Sequence, residues 1–172
     1  MAEWECKIAL QRNVYMLKSN EVKLRDLGHA DINLLYTIEN DETLWKFGSE
    51  RKYFSKQMLS EYIENDKLGI EINNQKRFII SSKNQDAGII DIYNYNKISA
   101  GIGILVLSKY RRKGLATISL ELIKEYCFKK LQLQELCCSI DSRNIGSIKL
   151  FLSSGFKETS EIKNIKYMKI QI

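Results

Sequence analysis

Lys109, Arg111, Arg112 and Lys113 put four cations into five consecutive positions, directly before Gly114, Leu115, Ala116 and Thr117. Such a set suits the binding of an anion. Upstream, Ile102–Leu107 is an apolar run rich in branched residues and too short for a buried helix; downstream, Leu115, Ile118, Leu122 and Tyr126 recur at helical spacing. The pattern predicts a loop that leaves a strand and opens a helix. The first amides of a helix lack internal partners and carry about half a positive charge, and Gly114 lets an anion approach the backbone closely. The segment therefore reads as a pyrophosphate cradle. It is neither a Gly-x-Gly-x-x-Gly loop nor a Walker loop, since Thr117 follows Ala116 with no Gly-Lys-Ser/Thr. The plainer reading is a solvated basic turn that caps a helix.

A second constellation, Asn144-Ile-Gly-Ser147-Ile-Lys-Leu150-Phe151-Leu-Ser-Ser-Gly155-Phe156, begins 30 residues beyond Gly114. Asn144 follows the strand-like run Leu136–Ile140 and is a good helix N-cap. Ile148, Phe151 and Leu152 share one apolar face, and Gly155 suits a left-handed stop. Arg111-x-x-Gly114-x-Ala116 resembles the Arg/Gln-x-x-Gly-x-Gly/Ala motif of the GNAT superfamily of acyl-CoA-dependent N-acetyltransferases. The Asn144 segment is similar to that superfamily's Asn-x-x-Ser/Ala-x-x-Leu-Tyr/Phe-x-x-x-Gly-Phe stretch at every fixed position. The likeness spans Val22 to Phe156 and is nearest to the spermidine and diamine acetyltransferases and the ribosomal-protein N-terminal acetyltransferases.

The resemblance implies an α/β (α+β) GNAT fold, a mixed central sheet in the order β-α-α-β-β-β-α-β-α-β-β whose fourth and fifth strands splay apart. It implies acetyl-CoA as co-substrate and no metal. The pyrophosphate would lie on the amides of Arg112, Lys113, Gly114, Leu115 and Ala116, with Arg111 and Thr117 in the same loop and the 3′-phosphate near Lys109 or Lys113. Pantetheine would pair with the backbone of Ile104, Leu105 and Val106 like an added strand. Asn144 would bond it, Phe151 would lie near the thioester, and Ser147 would be a further coenzyme-binding residue. The implied chemistry is direct attack of an amine on the thioester, the oxyanion held by a strand amide such as that of Val106.

One departure matters: Leu150-Phe151 places phenylalanine where the resembled enzymes usually have a tyrosine acid. A phenyl ring can position a thioester but cannot protonate sulfur. For the base, Asp91, Glu39 and Asp141 are the carboxylates expected near the strand ends, and their plainer reading is as solvated acids. The acceptor is expected between Glu39–Trp45 and Asp91–Tyr95. There Asp41, Glu42, Trp45, Tyr93 and Tyr95 could hold a primary amine by charge and cation–π contact, or the aromatics could merely pack helices on the sheet. Where spermidine-acetylating relatives carry a glutamate on the fourth strand, this chain has Ala100-Gly101-Ile102-Gly103, and Asn94 and Asn96 replace acidic residues after the third. The acceptor class is a small amine, a polyamine or a peptide N-terminus.

The elements that must position these groups can be read along the chain. Val22–Asp26 reads as a strand and Asp31–Glu39 as a helix, broken by Asn40-Asp41-Glu42. Ser55 caps a second helix with Met58, Leu59, Tyr62 and Ile63 on one face. Arg77–Ser82 and Gly88–Tyr95 read as a hairpin about Lys83-Asn84-Gln85-Asp86, and Ser99–Leu107 as its antiparallel neighbour. His29, the only histidine, sits at a helix entry.

Composition fits one domain over residues 21–172, preceded by an N-terminal extension over 1–20. The 172 residues are 44% hydrophobic and 28% charged, with no stretch near the ~20 apolar residues a membrane helix needs. No signal-peptide pattern is present, so the expected compartment is cytoplasmic and no membrane partner is expected. Cys6, Cys127, Cys137 and Cys138 lack metal-ligand or disulfide-framework spacing and read as reduced thiols, at least two of them core filler. The net charge of +6 is spread along the chain without basic blocks, which argues against nucleic acid while favouring encounter with polyanions. A homodimer is left open. Two rival readings stand beside the enzyme: a non-catalytic acyl-CoA-binding protein, favoured by Phe151, and an RNA-binding module, favoured by Arg111–Lys113 alone.

Overall fold

The computed structural model describes residues 17–45 and 52–171. Seven strands, β1 (Lys23–Asp26), β2 (Lys76–Ser82), β3 (Gln85–Tyr93), β4 (Ser99–Val106), β5 (Glu135–Asp141), β6 (Lys157–Ile162) and β7 (Ile165–Gln171), form one mixed sheet in the order β1-β2-β3-β4-β5-β7-β6. The β4–β5 pair is parallel and the rest are antiparallel. The helices are α1 (Ile32–Glu39), α2 (Glu42–Trp45), α3 (Lys56–Asp66), α4 (Ile70–Asn73), α5 (Leu115–Glu125), which runs into a π-helical turn at Tyr126–Lys130, and α6 (Ile145–Ser153).

The central strands are apolar on both faces because both are covered. Ile79 and Ile89 pack with Leu35, Ile38, Leu59 and Ile63 of α1 and α3. Phe78, Ile80, Ile90, Ile92 and Ile102 point the other way, into a cluster with Leu120 and Ile123 of α5 and Ile148 and Phe151 of α6. Each such isoleucine contributes roughly 1.5–3 kcal/mol by leaving water. Leu17 joins the second cluster, and the Leu24 amide donates to the Leu17 carbonyl at 2.8 Å. The extension expected over residues 1–20 lies outside the described residues as far as residue 16, with Cys6 in it.

Strand pairing differs from expectation in instructive ways. The β2–β3 turn is two residues, Lys83 and Asn84 at φ 50° and 59°, rather than four, so β3 begins at Gln85 and not at Gly88. Positive φ at both positions is the primed turn whose twist matches a hairpin. Gly88 lies inside the strand because backbone crowds it: a Cβ there would stand 2.0 Å from the Leu105 carbonyl oxygen. At the other end β3 stops at Tyr93, and Asn94 at φ 51° turns the chain. The helical segments include two single turns that the periodicity did not predict, α2 and α4, each too short to carry a repeat. At α2 the Asp41 carboxylate accepts the Thr43 amide at 2.9 Å, so the expected breaker opens a turn instead.

Two features shape the site. Parallel pairing of β4 with β5 covers Ser99↔Glu135, Ala100↔Leu136 and Gly101↔Cys137, after which both strands continue unpaired with each other. A gap therefore opens beyond Gly101. At α6, the Asn144 side chain accepts the Ser147 amide at 3.2 Å, while Gly155 at φ 91° ends the helix and the Phe156 amide returns to the Phe151 carbonyl at 3.1 Å. Both ends behave as their residue types dictate.

Candidate active site

The edges of the gap present backbone. The Leu107 amide donates to the Ala87 carbonyl on β3 at 2.8 Å, so alternation aims the main-chain groups of Val106 and Ile104 the opposite way, toward β5. Leu105, expected to contribute its backbone as well, is the exception. Its carbonyl faces Gly88 on β3 and its side chain packs toward α1 and α3. A strand can offer only every second residue to one neighbour, which corrects the three-residue expectation to Ile104 and Val106. β4 is fully buried from Ala100 to Ile102 and half-exposed from Gly103 to Val106, as an open gap requires.

Beyond β4 the basic loop is built from the inside. Arg111 donates Nε to the Val106 carbonyl at 2.8 Å, so part of its guanidinium braces the loop on the strand. Tyr110, anchored to Gln85 Oε1 at 2.8 Å, gathers two cations on its ring, Lys109 Nζ at 4.8 Å and Lys113 Nζ at 5.5 Å from the centroid. Arg112 and Gly114 take left-handed conformations, φ 62° and 76°, immediately before α5. A Cβ on Gly114 would meet nothing within 4 Å, so the approach to the first turn of α5 is open and the demand for glycine comes from φ. Leu115 turns into the core, leaving the amides ahead of Thr117 facing out. This combination fits the pyrophosphate of a coenzyme A: open backbone at a helix N-terminus, ringed by cations. On α6, Asn144 commits its oxygen to the cap, which leaves Nδ2 as a donor. Phe151 is buried edge-on against Phe156, with ring centroids 4.9 Å apart.

On the opposite sheet face, the α1–α3 side, two of the expected carboxylates come together through a residue that sequence reasoning missed. Arg77 of β2 donates Nε and an Nη to Asp91 at 2.6 and 2.9 Å, and its other Nη to Glu39 at 2.5 Å. Its guanidinium also sits 5.1 Å from the Tyr62 ring centroid. Burial works against the Arg77 charge, but the flanking carboxylates hold its pKa well above the ordinary value, and burial raises the Tyr62 phenol. One cation between two anions leaves the cluster net negative. Arg77 engages both oxygens of Asp91 and one oxygen of Glu39, the two carboxylates expected to act as bases. Asp141, at the end of β5, is similarly engaged: Arg143 donates Nε and an Nη to it at 2.9 and 2.6 Å and draws its pKa down to about 2.

Trp45 closes this corner by donating Nε1 to the Glu39 carbonyl at 2.7 Å. Asp41 is occupied by Thr43, and Glu42 is exposed. Tyr93 lies on the same sheet face as Asp91. Tyr95 does not, which corrects its assignment to the acceptor site: past the Asn94 turn it is buried in the α5-side core, donating to Glu71 at 2.7 Å, and burial pushes its phenol up to about 12. Elsewhere, His29 pairs with Glu64 at the entry to α1. Cys127 and Cys138 are core thiols that burial pushes up to about 12. Among the described residues, no group of histidine, cysteine, aspartate or glutamate could hold a metal ion, and no helix is long and apolar enough to cross a membrane.

Comparison with known proteins agrees with this arrangement. The family model "Acetyltransferase (GNAT) domain" matches residues 21–157. Spermidine N(1)-acetyltransferase of Escherichia coli is 26% identical over 149 residues, covering 86% of this chain and 78% of that protein. Two solved structures superpose over most of the chain. Spermidine N-acetyltransferase from Vibrio cholerae, in complex with CoA and spermine, has TM-score 0.81 at 21% identity, covering 89% of this chain and 96% of that one. RimL, a ribosomal L7/L12 alpha-N-protein acetyltransferase in complex with coenzyme A, has TM-score 0.81 at 14% identity, covering 91% and 98%. With both signature motifs folded at the mouth of the β4–β5 gap, the chain belongs to the GNAT acetyltransferase family and is an acyltransferase that uses acetyl-CoA to acetylate amines.

Proposed function

We propose that the acceptor is a cationic amine, either a small amine or polyamine or a peptide N-terminus, held on the α1–α3 face of the sheet while acetyl-CoA enters between β4 and β5. The observation that carries this reading is the Glu39–Arg77–Asp91 cluster: two carboxylates on one arginine leave a residual negative charge beside the glycines of β4. Gly103 supports it, because it pairs with Asp91 and brings the bare backbone of β4 alongside that carboxylate. Trp45, Asp41 and Glu42 flank the entrance, where an aromatic face and added charge contribute about 0.5–2 kcal/mol per cation contact.

In the transfer, this chain's residues bind and orient. The amides from Arg112 to Ala116 and the lysines stacked on Tyr110 hold phosphate. Ile104 and Val106 pair with the pantetheine arm, Asn144 Nδ2 donates to it, and a β4 amide nearer the apex of the gap takes the developing charge on oxygen. The supporting likenesses name polyamine and protein N-terminal acceptors in other proteins, and self-association and a cytoplasmic setting are part of the proposal for this one. An amine panel assayed by thiol release tests it. Binding of acetyl-CoA without turnover of any amine would instead favour a coenzyme sensor, the reading that buried Phe151 supports.

A further inference from the structure

We infer that Tyr93 is the acid of the transfer, giving its phenolic proton to the departing sulfur from the sheet face opposite Phe151. The inference rests on the acetyltransferase reading above and assigns within it a role that Phe151 cannot fill.

Its geometry is specific. Tyr93 pairs in register with Gly101, the last β4 residue paired to β5. Its ring does not stand off the sheet but lies flat across that glycine: a Cβ on Gly101 would fall 2.3 Å from Cε2 and 2.4 Å from Cζ of the ring. The other ring edge reaches Gly103, where a Cβ would be 3.8 Å from Cε1. Thus Gly101 gives up its side chain to the ring, whose far edge comes to ordinary contact distance of the Gly103 position two residues on. The ring extends from β3 over Gly101, which pairs with Cys137 of β5, and its phenol interacts with Ser139, with Cys137 and Cys138 nearby. Ser139 lies two residues past the final β4–β5 pair and is exposed in mid-strand. The hydroxyl is therefore delivered to the apex of the gap, where the arm paired to Val106 and Ile104 must end. Burial raises the Tyr93 pKa, which keeps the group protonated in ordinary buffers.

The proton balance closes without another reagent. The neutral amine nitrogen bonds to the acetyl carbon, the carbon–sulfur bond breaks and its electron pair goes to sulfur. Tyr93 protonates that sulfur, and the proton shed by nitrogen returns to the phenolate through water. An ammonium acceptor and acetyl-CoA thus yield the amide, the free thiol of coenzyme A and one solvent proton.

Tyr93→Phe removes one oxygen and keeps the ring over Gly101. We expect kcat to fall about a hundredfold, the low end of what a positioned acid supplies, with the KM for acetyl-CoA within twofold and the melting temperature unchanged. Adding Phe151→Tyr, which places a phenol on α6, should recover at least tenfold of that loss. Tyr167 lies opposite Ser139 on β7, and its phenylalanine variant serves as control with wild-type turnover. Undiminished turnover in Tyr93→Phe, or an equal loss in Tyr167→Phe, overturns the assignment. Failure of the unmodified protein to turn over any amine would count against the acetyltransferase reading instead.

Discussion

The two halves of the proposed site are built from different materials. The coenzyme half is mostly main chain: amides at the start of α5, the gap-facing groups of Ile104 and Val106, and a left-handed glycine. The proposed acceptor half is side chain, drawn from α1, β3 and α3 around Arg77 of β2 and from β3 over Gly101 of β4. Backbone geometry survives substitution of neighbouring residues as long as a few special conformations persist. A side-chain cluster can be rewritten one residue at a time. Such a division suits a family that keeps one donor and exchanges acceptors.

Breaking the acceptor half should have the largest effect on stability. Arg77→Met leaves Glu39 and Asp91 half-buried without their cation, a kind of loss that costs about 3–5 kcal/mol, and chemical denaturation should report it. Combining it with Glu39→Gln and Asp91→Asn should restore most of the stability but not acceptor binding. Breaking the coenzyme half should act on binding instead. At φ 76° a β-branched residue is strained by about 1–3 kcal/mol, so Gly114→Val should raise the KM for acetyl-CoA tenfold or more and leave the acceptor KM alone. An unchanged coenzyme KM would show that the loop does not hold the pyrophosphate.

The same division explains what could be read in advance. Arg111-x-x-Gly114-x-Ala116 and Asn144 to Phe156 are local: each needs only its own strand, turn and helix, so periodicity and caps revealed them. Arg77 was passed over as a strand residue because its partners lie 38 and 14 positions away, on Glu39 and Asp91, and no spacing rule links them. Gly101 and Gly103 are visible as the absence of a glutamate, but Gly101 is not visible as the bed of Tyr93, which depends on β3–β4 register. Tyr95 falls with Tyr93 in the segment where the resemblance puts the acceptor, but the Asn94 turn between them sends it into the core on the other sheet face. Leu105 was grouped with its neighbours although a ladder turns every second residue away.

Smaller effects sharpen the boundary between the halves. Asp41→Asn with Glu42→Gln keeps an oxygen for the Thr43 amide while removing two charges from the acceptor entrance. The double variant should raise the acceptor KM severalfold and spare acetyl-CoA; unchanged acceptor kinetics would remove this loop from the site. Least of all should come from Asp141. Arg143 lowers its pKa to about 2 from an ordinary 3.8, so its contribution to stability is present above pH 4 and disappears as pH falls through 2. Arg143 is exposed, so Arg143→Ala should return the Asp141 titration, followed by NMR, toward 3.8 with little change in melting temperature at pH 7.

The central claim is that a coenzyme held by backbone delivers acetyl to an amine that arrives as a cation held by the Glu39–Arg77–Asp91 cluster and attacks once it has lost a proton. Mass spectrometry of the products formed from acetyl-CoA and paired acceptors, each amine set against its uncharged hydroxyl analogue and each peptide against its N-terminally blocked form, tests it most directly. The account expects a mass gain of one acetyl group on cationic amines alone, suppressed by Asp91→Asn with no change in acetyl-CoA binding. Acetylation that ignores the acceptor's charge, or that survives Asp91→Asn unchanged, would contradict it.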